Sequence, residues 1–167
     1  LIEQGIKQLG ESVDNLHAIV ISHGHGDHFG NAAYFQKQYH AKIYMSKTDY
    51  ELAKNMPKAL PWEPVQFHVD EFLQDNGLLS FGSIQLHSIF TPGHTKGCFS
   101  FIIPVTDEGR PHTMALWGGS GIMSDTDKNE YHQSLIKFTN VCKAFIIGED
   151  GYHYYEQQFY DYVVPKK

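Results

Sequence analysis

Apolar positions along this chain fall into short runs whose period changes, and those runs predict the elements. Ile2, Ile6 and Leu9 recur at helical spacing, so residues 2–9 predict a short helix. The apolar run through residues 16–21 predicts a strand. Residues 31–39 predict a helix with Ala32, Ala33 and Phe35 turned inward, and residues 42–45 a short strand. Ser46 and Thr48 offer N-cap oxygens to a helix that ends near Lys54. Pro57, Pro61 and Pro64 mark a loop. From Val65 the period turns towards strands, predicted at residues 78–81, 84–90, 98–105 and 113–117. Asp75-Asn76-Gly77 reads as a turn, and Asp107-Glu108-Gly109 as a hairpin turn between the last two strands. Residues 128–143 predict a helix with Tyr131, Leu135, Phe138 and Val141 along one stripe. Residues 149–162 predict a terminal helix whose tyrosines suit a core or interface face. There is no internal repeat. Strands and helices in this order predict a layered α/β architecture, and 167 residues predict a single domain over residues 1–167.

Composition narrows the class of partner. Hydrophobic residues make up 41% and charged residues 19% of the chain, the proportions of an ordinary globular protein. A formal net charge of −6 disfavours non-specific binding to nucleic acid or to an anionic membrane. No apolar run approaches the roughly 18 residues of a membrane helix. The expected partner is therefore a small-molecule substrate, with no nucleic acid and no membrane. The chain opens on Leu1 rather than Met and shows no leader pattern, which leaves room for a leader and more ahead of it. Its 2 cysteines, Cys98 and Cys142, are too few and too far apart for a disulfide framework or a structural zinc site, and read as small buried apolar residues. They do not choose a compartment, and nothing here sets an oligomeric state.

One run carries chemistry. His23-Gly24-His25-Gly26-Asp27-His28 places 3 imidazoles and a carboxylate within 6 residues, just after the apolar run Ala18-Ile19-Val20-Ile21. Imidazole nitrogen and carboxylate oxygen are preferred zinc ligands. His23 and His25 point the same way if the backbone there is extended. Gly24 and Gly26 let that backbone wrap tightly around an ion. A solvated His/Gly loop would explain one such histidine, but it explains four metal-capable groups in 6 residues poorly. One ion cannot easily use all four, so the spacing predicts two neighbouring metals.

With these residues in place, the chain resembles the metallo-β-lactamase superfamily, whose signature is His-x-His-x-Asp-His after a β-strand. A second match is Thr91-Pro92-Gly93-His94-Thr95-Lys96-Gly97, where the resemblance implies that His94 is the next zinc ligand. A third is Ala115-Leu116-Trp117-Gly118-Gly119-Ser120, where members carry another ligand or a residue that lines the site. The implied fold is the four-layer αββα sandwich, with metal-bearing loops at one edge of the sheets. The implied centre binds one zinc through His23, His25 and His94 and a second through Asp27 and His28.

Two departures from the family pattern stand out. Ser120 falls where one β-lactamase subclass has a zinc-binding Cys and where glyoxalase-like and lactonase members have a bridging Asp. Hydroxyls are weak zinc ligands, so Ser120 reads as a small residue packed near the site. His28 together with Ser120 resembles the third β-lactamase subclass, whose second metal uses Asp, His and a distant His. That distant His is the second departure. The helix over residues 128–143 leads straight into Ala144-Phe145-Ile146-Ile147-Gly148, where members first present a His-bearing loop. The expectation is a segment absent near Lys143–Ala144, and a chain that starts too late for the family's first strands. His153 is the in-sequence alternative, and its Tyr-rich setting favours a surface or core role. His17, His40, His68, His87, His112 and His132 read as structural or surface residues.

The resemblance implies a zinc-dependent hydrolase in which metal-bound hydroxide attacks a carbonyl, with Asp27 orienting the water and accepting its proton. The pattern leans to a cyclic amide or ester, β-lactamase-like, with a lactonase or thioester hydrolase as the alternative. Nucleases and phosphodiesterases of the family usually want a bridging Asp and basic grooves, which Ser120 and the acidic balance argue against. A non-enzymatic member that keeps the fold for metal binding is a further alternative, and the intact His23/His25/His94 set weighs against it. Trp62, Trp117, Phe29 and Phe67 are candidates to line an apolar pocket, with core packing the commoner role for each.

Overall fold

The structure is a computed structural model that describes residues 1–55, 66–124 and 126–145. Helix α1 (Ile2–Gln8) and a 3-10 turn (Val13–Asn15) lead into β1 (Ala18–Val20). Helices α2 (Gly26–Phe29) and α3 (Ala32–Tyr39) follow, then β2 (Lys42–Met45), α4 (Lys47–Lys54) and β3 (Glu71–Phe72). A strand meander follows through β4 (Gly77–Phe81), β5 (Ile84–Phe90), β6 (Phe99–Asp107) and β7 (Arg110–Leu116). Helix α5 (Lys128–Phe145) closes the described chain. β1, β2 and β3 form a 3-stranded parallel sheet in that order, and β4 to β7 a 4-stranded antiparallel sheet.

Side-chain alternation along the strands stacks these elements into four layers. Tyr44 and Leu73 meet Leu79, Phe99 and Phe101 between the two sheets, with Val20, Leu86 and Ile103 packed on them. On the opposite side of the parallel sheet, Ile43 and Met45 bury against Phe29, Ala32 and Ala53 of α2, α3 and α4. Ile89 and Ile102, on the far side of the antiparallel sheet, bury against Phe138 of α5. The order helix, sheet, sheet, helix is the αββα sandwich expected from the sequence. α5 is pinned to the end of β5 by Lys137, whose ammonium donates to Asp75 at 2.8 Å and to the Phe90 carbonyl at 2.9 Å. At one edge, between β1 and β6–β7, the inter-sheet core opens into a cleft of about 330 Å³ lined by residues including Val20, Phe101, Leu116 and His28.

The element boundaries differ from the expected ones in ways the local chemistry explains. Leu16 is not in β1, because its N–H closes the 3-10 turn on the Val13 carbonyl. Ser46 alone caps α4, accepting from the Asp49 N–H at 3.0 Å, while Thr48 lies inside the helix. Cys98 and Trp117 lie just outside the strands predicted to hold them, and β6 and β7 extend further towards their shared hairpin. Glu108 and Gly109 have φ of +47° and +77°, the positive pair that lets a two-residue turn follow the strand twist. Pro104 sits in β6 without an N–H to donate, at a point where the strand pairs with β7 and has left β5. α5 runs through Lys143 and Ala144 to Phe145. The proline-rich loop, Trp62, His153 and the terminal helix predicted over residues 149–162 lie outside the described residues, whereas Lys143 and Ala144, the place expected for an absent segment, lie within α5. Among the described residues, no helix is long and apolar enough to cross a membrane.

Candidate metal centre

The centre forms where three strand ends meet. β1 runs on through Ile21, whose N–H donates to the Tyr44 carbonyl at 2.8 Å, and then turns, so His23 and His25 emerge at the sheet's edge. His94 arrives on the tight loop between β5 and β6, which is closed by hydrogen bonds from Thr91 N to Cys98 O and from Gly93 N to Thr95 O, each 2.9 Å. The chain after β7 passes behind His94. Its Gly118 N–H donates to Ser100 Oγ at 3.0 Å, and that hydroxyl also bonds Thr91 Oγ1 at 2.7 Å, so one buried serine anchors two site loops. α5 supports the same loops, Ser134 donating to the Pro92 carbonyl at 2.6 Å and Tyr131 to the Ser120 carbonyl at 3.2 Å.

Three ring nitrogens converge there. His94 Nε2 lies 3.2 Å from His23 Nε2 and 3.1 Å from His25 Nδ1. The same three residues are the group of metal-capable side chains found among the described residues. Two donors bound at 2.0–2.1 Å to a tetrahedral zinc stand about 3.4 Å apart, so the observed spacing suits that ion. Tautomer chemistry agrees. His94 Nδ1 is 2.6 Å from the Gly121 carbonyl, which only accepts, so Nδ1 carries the proton and Nε2 turns a bare lone pair inward. His23 Nδ1 lies 3.0 Å from Ser22 Oγ, an outer contact that holds the ring in place. Burial, and then the facing His28, His94 and His25 rings, push the His23 pKa down to about 3, which keeps this imidazole a neutral donor.

Asp27 and His28 lie beside this trio and outside it. Both sit on α2, with His28 Nε2 3.7 Å from Asp27 Oδ2 and their side chains 43% and 63% exposed. The His28 ring tilts against His23 at 3.9 Å between centroids. Ser120 is exposed. The candidate pocket aromatics take core roles where they are described. Phe29 and Phe67 are buried under the parallel sheet, and Trp117 packs against Phe138 and donates to the Gly119 carbonyl at 2.7 Å. Cys98 is buried with its thiol pushed up to about 12 by burial, and burial raises Cys142 to about 11, so both are inert apolar side chains.

Asp49 escaped the reading of the sequence. It is fully buried on α4, and its Oδ2 accepts from Gly24 N at 2.8 Å and Thr95 Oγ1 at 2.5 Å. Nothing local in the sequence marks it, since an acidic residue three places after an N-cap reads as a capping side chain.

A family model described as the metallo-beta-lactamase superfamily matches residues 1–107. The chain belongs to that superfamily. It is 33% identical over 89 residues to a hydroxyacylglutathione hydrolase of Bartonella tribocorum, a match that covers 53% of this chain and 30% of that protein. In three dimensions it resembles a beta-lactamase from Chitinophaga pinensis, with a TM-score of 0.76, 22% identity, and 97% of this chain and 74% of that one covered. It also resembles the class B3 di-zinc metallo-beta-lactamase LRA-12 from an Alaskan soil metagenome, with a TM-score of 0.72, 21% identity and the same coverage. Matches to curated relatives span 30% to 50% of those relatives' lengths. At these identities the solved structures establish the shared αββα fold, and the expected family and architecture hold.

Proposed function

We propose that this chain carries the catalytic centre of a zinc-dependent hydrolase that acts on a cyclic amide or ester carbonyl. The observation that carries this reading is the approach of His23 Nε2 and His25 Nδ1 to His94 Nε2 at 3.2 and 3.1 Å, with an outer nitrogen of His94 committed to a carbonyl. These three residues would hold the first zinc. Asp27 and His28 would contribute to a second, supported by the His28 ring lying against His23 and by the Asp27 carboxylate beside His28 on α2. Zinc in such a site supplies an activated water and a Lewis acid that polarises the carbonyl.

The protein's own groups then have defined tasks. Gly121, Ser22 and the Gly118 backbone keep the histidine rings oriented, with their donor nitrogens inward. The Asp27 carboxylate is solvent-accessible and next to His28, and would orient a water at the centre and take up its proton. The apolar cleft that includes His28 and Leu116 would receive the body of the substrate. The described residues would act as one domain.

A second reading, thioester hydrolysis, is favoured by the identity shared with the hydroxyacylglutathione hydrolase. Elemental analysis for zinc and iron per chain tests the centre, and a β-lactam, a lactone and a thioester reporter compared by kcat/KM test the substrate class. About two zincs per chain with β-lactam turnover supports the main reading. A thioester preference replaces the substrate class, a lactone preference narrows it to cyclic esters, and protein that takes up no zinc overturns the metallohydrolase reading.

A further inference from the structure

Beyond the three histidines, one carboxylate among the described residues is taken wholly out of water. Asp49 is fully buried, and among the described residues its side chain forms no ion pair with Lys or Arg. A carboxylate taken out of water without a cation is costly and persists only where something compensates it. Local helix chemistry is not the reason for its placement. Asp49 stands three residues after the N-cap Ser46, where an acidic side chain ordinarily folds back to the cap's own N–H. Here the carboxylate turns away and bridges two loops.

Its bridging partners are the residues next to the three imidazoles. Gly24, which donates to Oδ2 at 2.8 Å, sits between His23 and His25. Thr95, which donates to the same oxygen at 2.5 Å, follows His94 directly. The second oxygen, Oδ1, turns to the Gly97 backbone without a well-formed hydrogen bond. The contact is so close that a Cβ on Gly97 would lie 2.5 Å from Oδ1, and one on Gly24 would lie 2.5 Å from the Asp49 carbonyl. Both glycines are thus required by the approach of α4. Burial raises the Asp49 pKa, and the Thr95, Gly24 and Gly97 contacts, with the His25 ring, oppose that rise. The carboxylate therefore sits where a cation held by the three neutral imidazoles would offset its burial.

We propose that Asp49 is a positioning residue for the metal centre: its carboxylate ties the His23/His25 loop to the His94 loop and sets the separation of the three donors. The inference rests on the zinc-centre reading above. It assigns Asp49 no contact with substrate and no proton transfer.

The test uses the full chain, with zinc as the probe. Zinc affinity is measured by competition with a chromophoric chelator for wild type, Asp49→Asn, Thr95→Val and Thr95→Ser. The thermal midpoint of each metal-free protein and the visible spectrum of each cobalt(II) form are recorded alongside. Asp49→Asn keeps the hydrogen-bonding shape and removes the charge. It is expected to weaken zinc about 10–100-fold, the usual effect of losing an outer-shell partner, while the metal-free midpoint holds or rises. Thr95→Val is expected to weaken zinc and shift the cobalt bands, and Thr95→Ser to restore both. If Asp49→Asn does not fold, the two Thr95 variants decide the matter. Zinc affinity within threefold of wild type in Asp49→Asn and Thr95→Val, with unchanged cobalt bands, overturns the positioning role and leaves the metal centre standing. A wild type that binds no zinc overturns both.

Discussion

Gly119→Ala is the sharpest test of how the site is packed. A Cβ at this position would lie 2.6 Å from His94 Cγ and 2.7 Å from His94 Cβ, with Cδ2 also in contact. Carbon atoms rest at about 3.5–4.0 Å, so the ring or the Gly119 backbone must give by roughly 1 Å. Neither is free to do so. The Gly119 carbonyl is held by Trp117 Nε1 at 2.7 Å, and the His94 ring by Gly121 at 2.6 Å. A ring displaced by that distance carries Nε2 well beyond the roughly 0.2 Å tolerance of a metal–ligand bond. Zinc affinity should fall about 10–100-fold, equivalent to about 1.4–2.8 kcal/mol. Overpacking should cost the metal-free protein about 1–3 kcal/mol, roughly 2–12 °C in thermal midpoint for a domain of this size. Gly121→Ala is the matched control, since its Cβ would meet His94 Cε1 at 3.4 Å and Nδ1 at 3.7 Å and needs only a slight adjustment. Chelator competition and differential scanning calorimetry on both variants provide the readout. Gly119→Ala with zinc affinity within twofold of wild type would refute the claim that this glycine exists to let the chain pass behind His94.

Three further outcomes follow from the same structure. His94→Ala should abolish tight zinc binding, because it removes the nitrogen that both other donors face, and elemental analysis after dialysis that still finds full zinc would contradict the trio. Asp70 is held below the usual carboxylate range by the Ile43 N–H and then by His68 and Gln36, despite some opposing burial. Its folded form therefore binds protons less readily than the unfolded chain, and its contribution is present above pH about 4 and lost as pH falls below it. Urea unfolding between pH 3 and 6 should show Asp70→Asn to be the less stable protein at pH 6, with the gap closing towards pH 3; a constant gap would count against this assignment. Gly5 lies inside α1 with nothing within 4 Å of a built Cβ, so Gly5→Ala should stabilise by about 0.5–1 kcal/mol in chemical denaturation, and a loss would show that α1 is held differently.

Much of this architecture was legible because it is written at short range. The helix over α5 and the strands β4 to β7 follow from a 3.6- or two-residue apolar period, which sees only neighbours in sequence. The Glu108-Gly109 hairpin follows from turn residues that accept positive φ. His23, His25, Asp27 and His28 announce themselves because four metal-capable groups crowd into 6 residues. His94 stands alone in sequence and was reached only through its Thr-Pro-Gly-His-Thr setting and the resemblance it carries.

Asp49 and Gly119 were beyond that reach. Asp49 meets its partners 25 and 46 residues away, and no local pattern marks an aspartate for burial. Gly119 matters because of a ring 25 positions earlier in the chain, and an amino-acid string does not show which atoms will fall behind it. The separation between α2's Asp27 and the three converged nitrogens was equally invisible, since adjacency in sequence does not set where a side chain points once a helix begins. The sequence by itself thus determined the element types, a layered α/β class and which side chains can offer a metal ligand, because propensity, periodicity and ligand chemistry are properties of residues and their near neighbours; the four-layer form entered only through the family resemblance. Only the tertiary structure decided which donors meet, at what separation, and what braces them, because those are distances between segments far apart in the chain, set by how the two sheets and α4 pack.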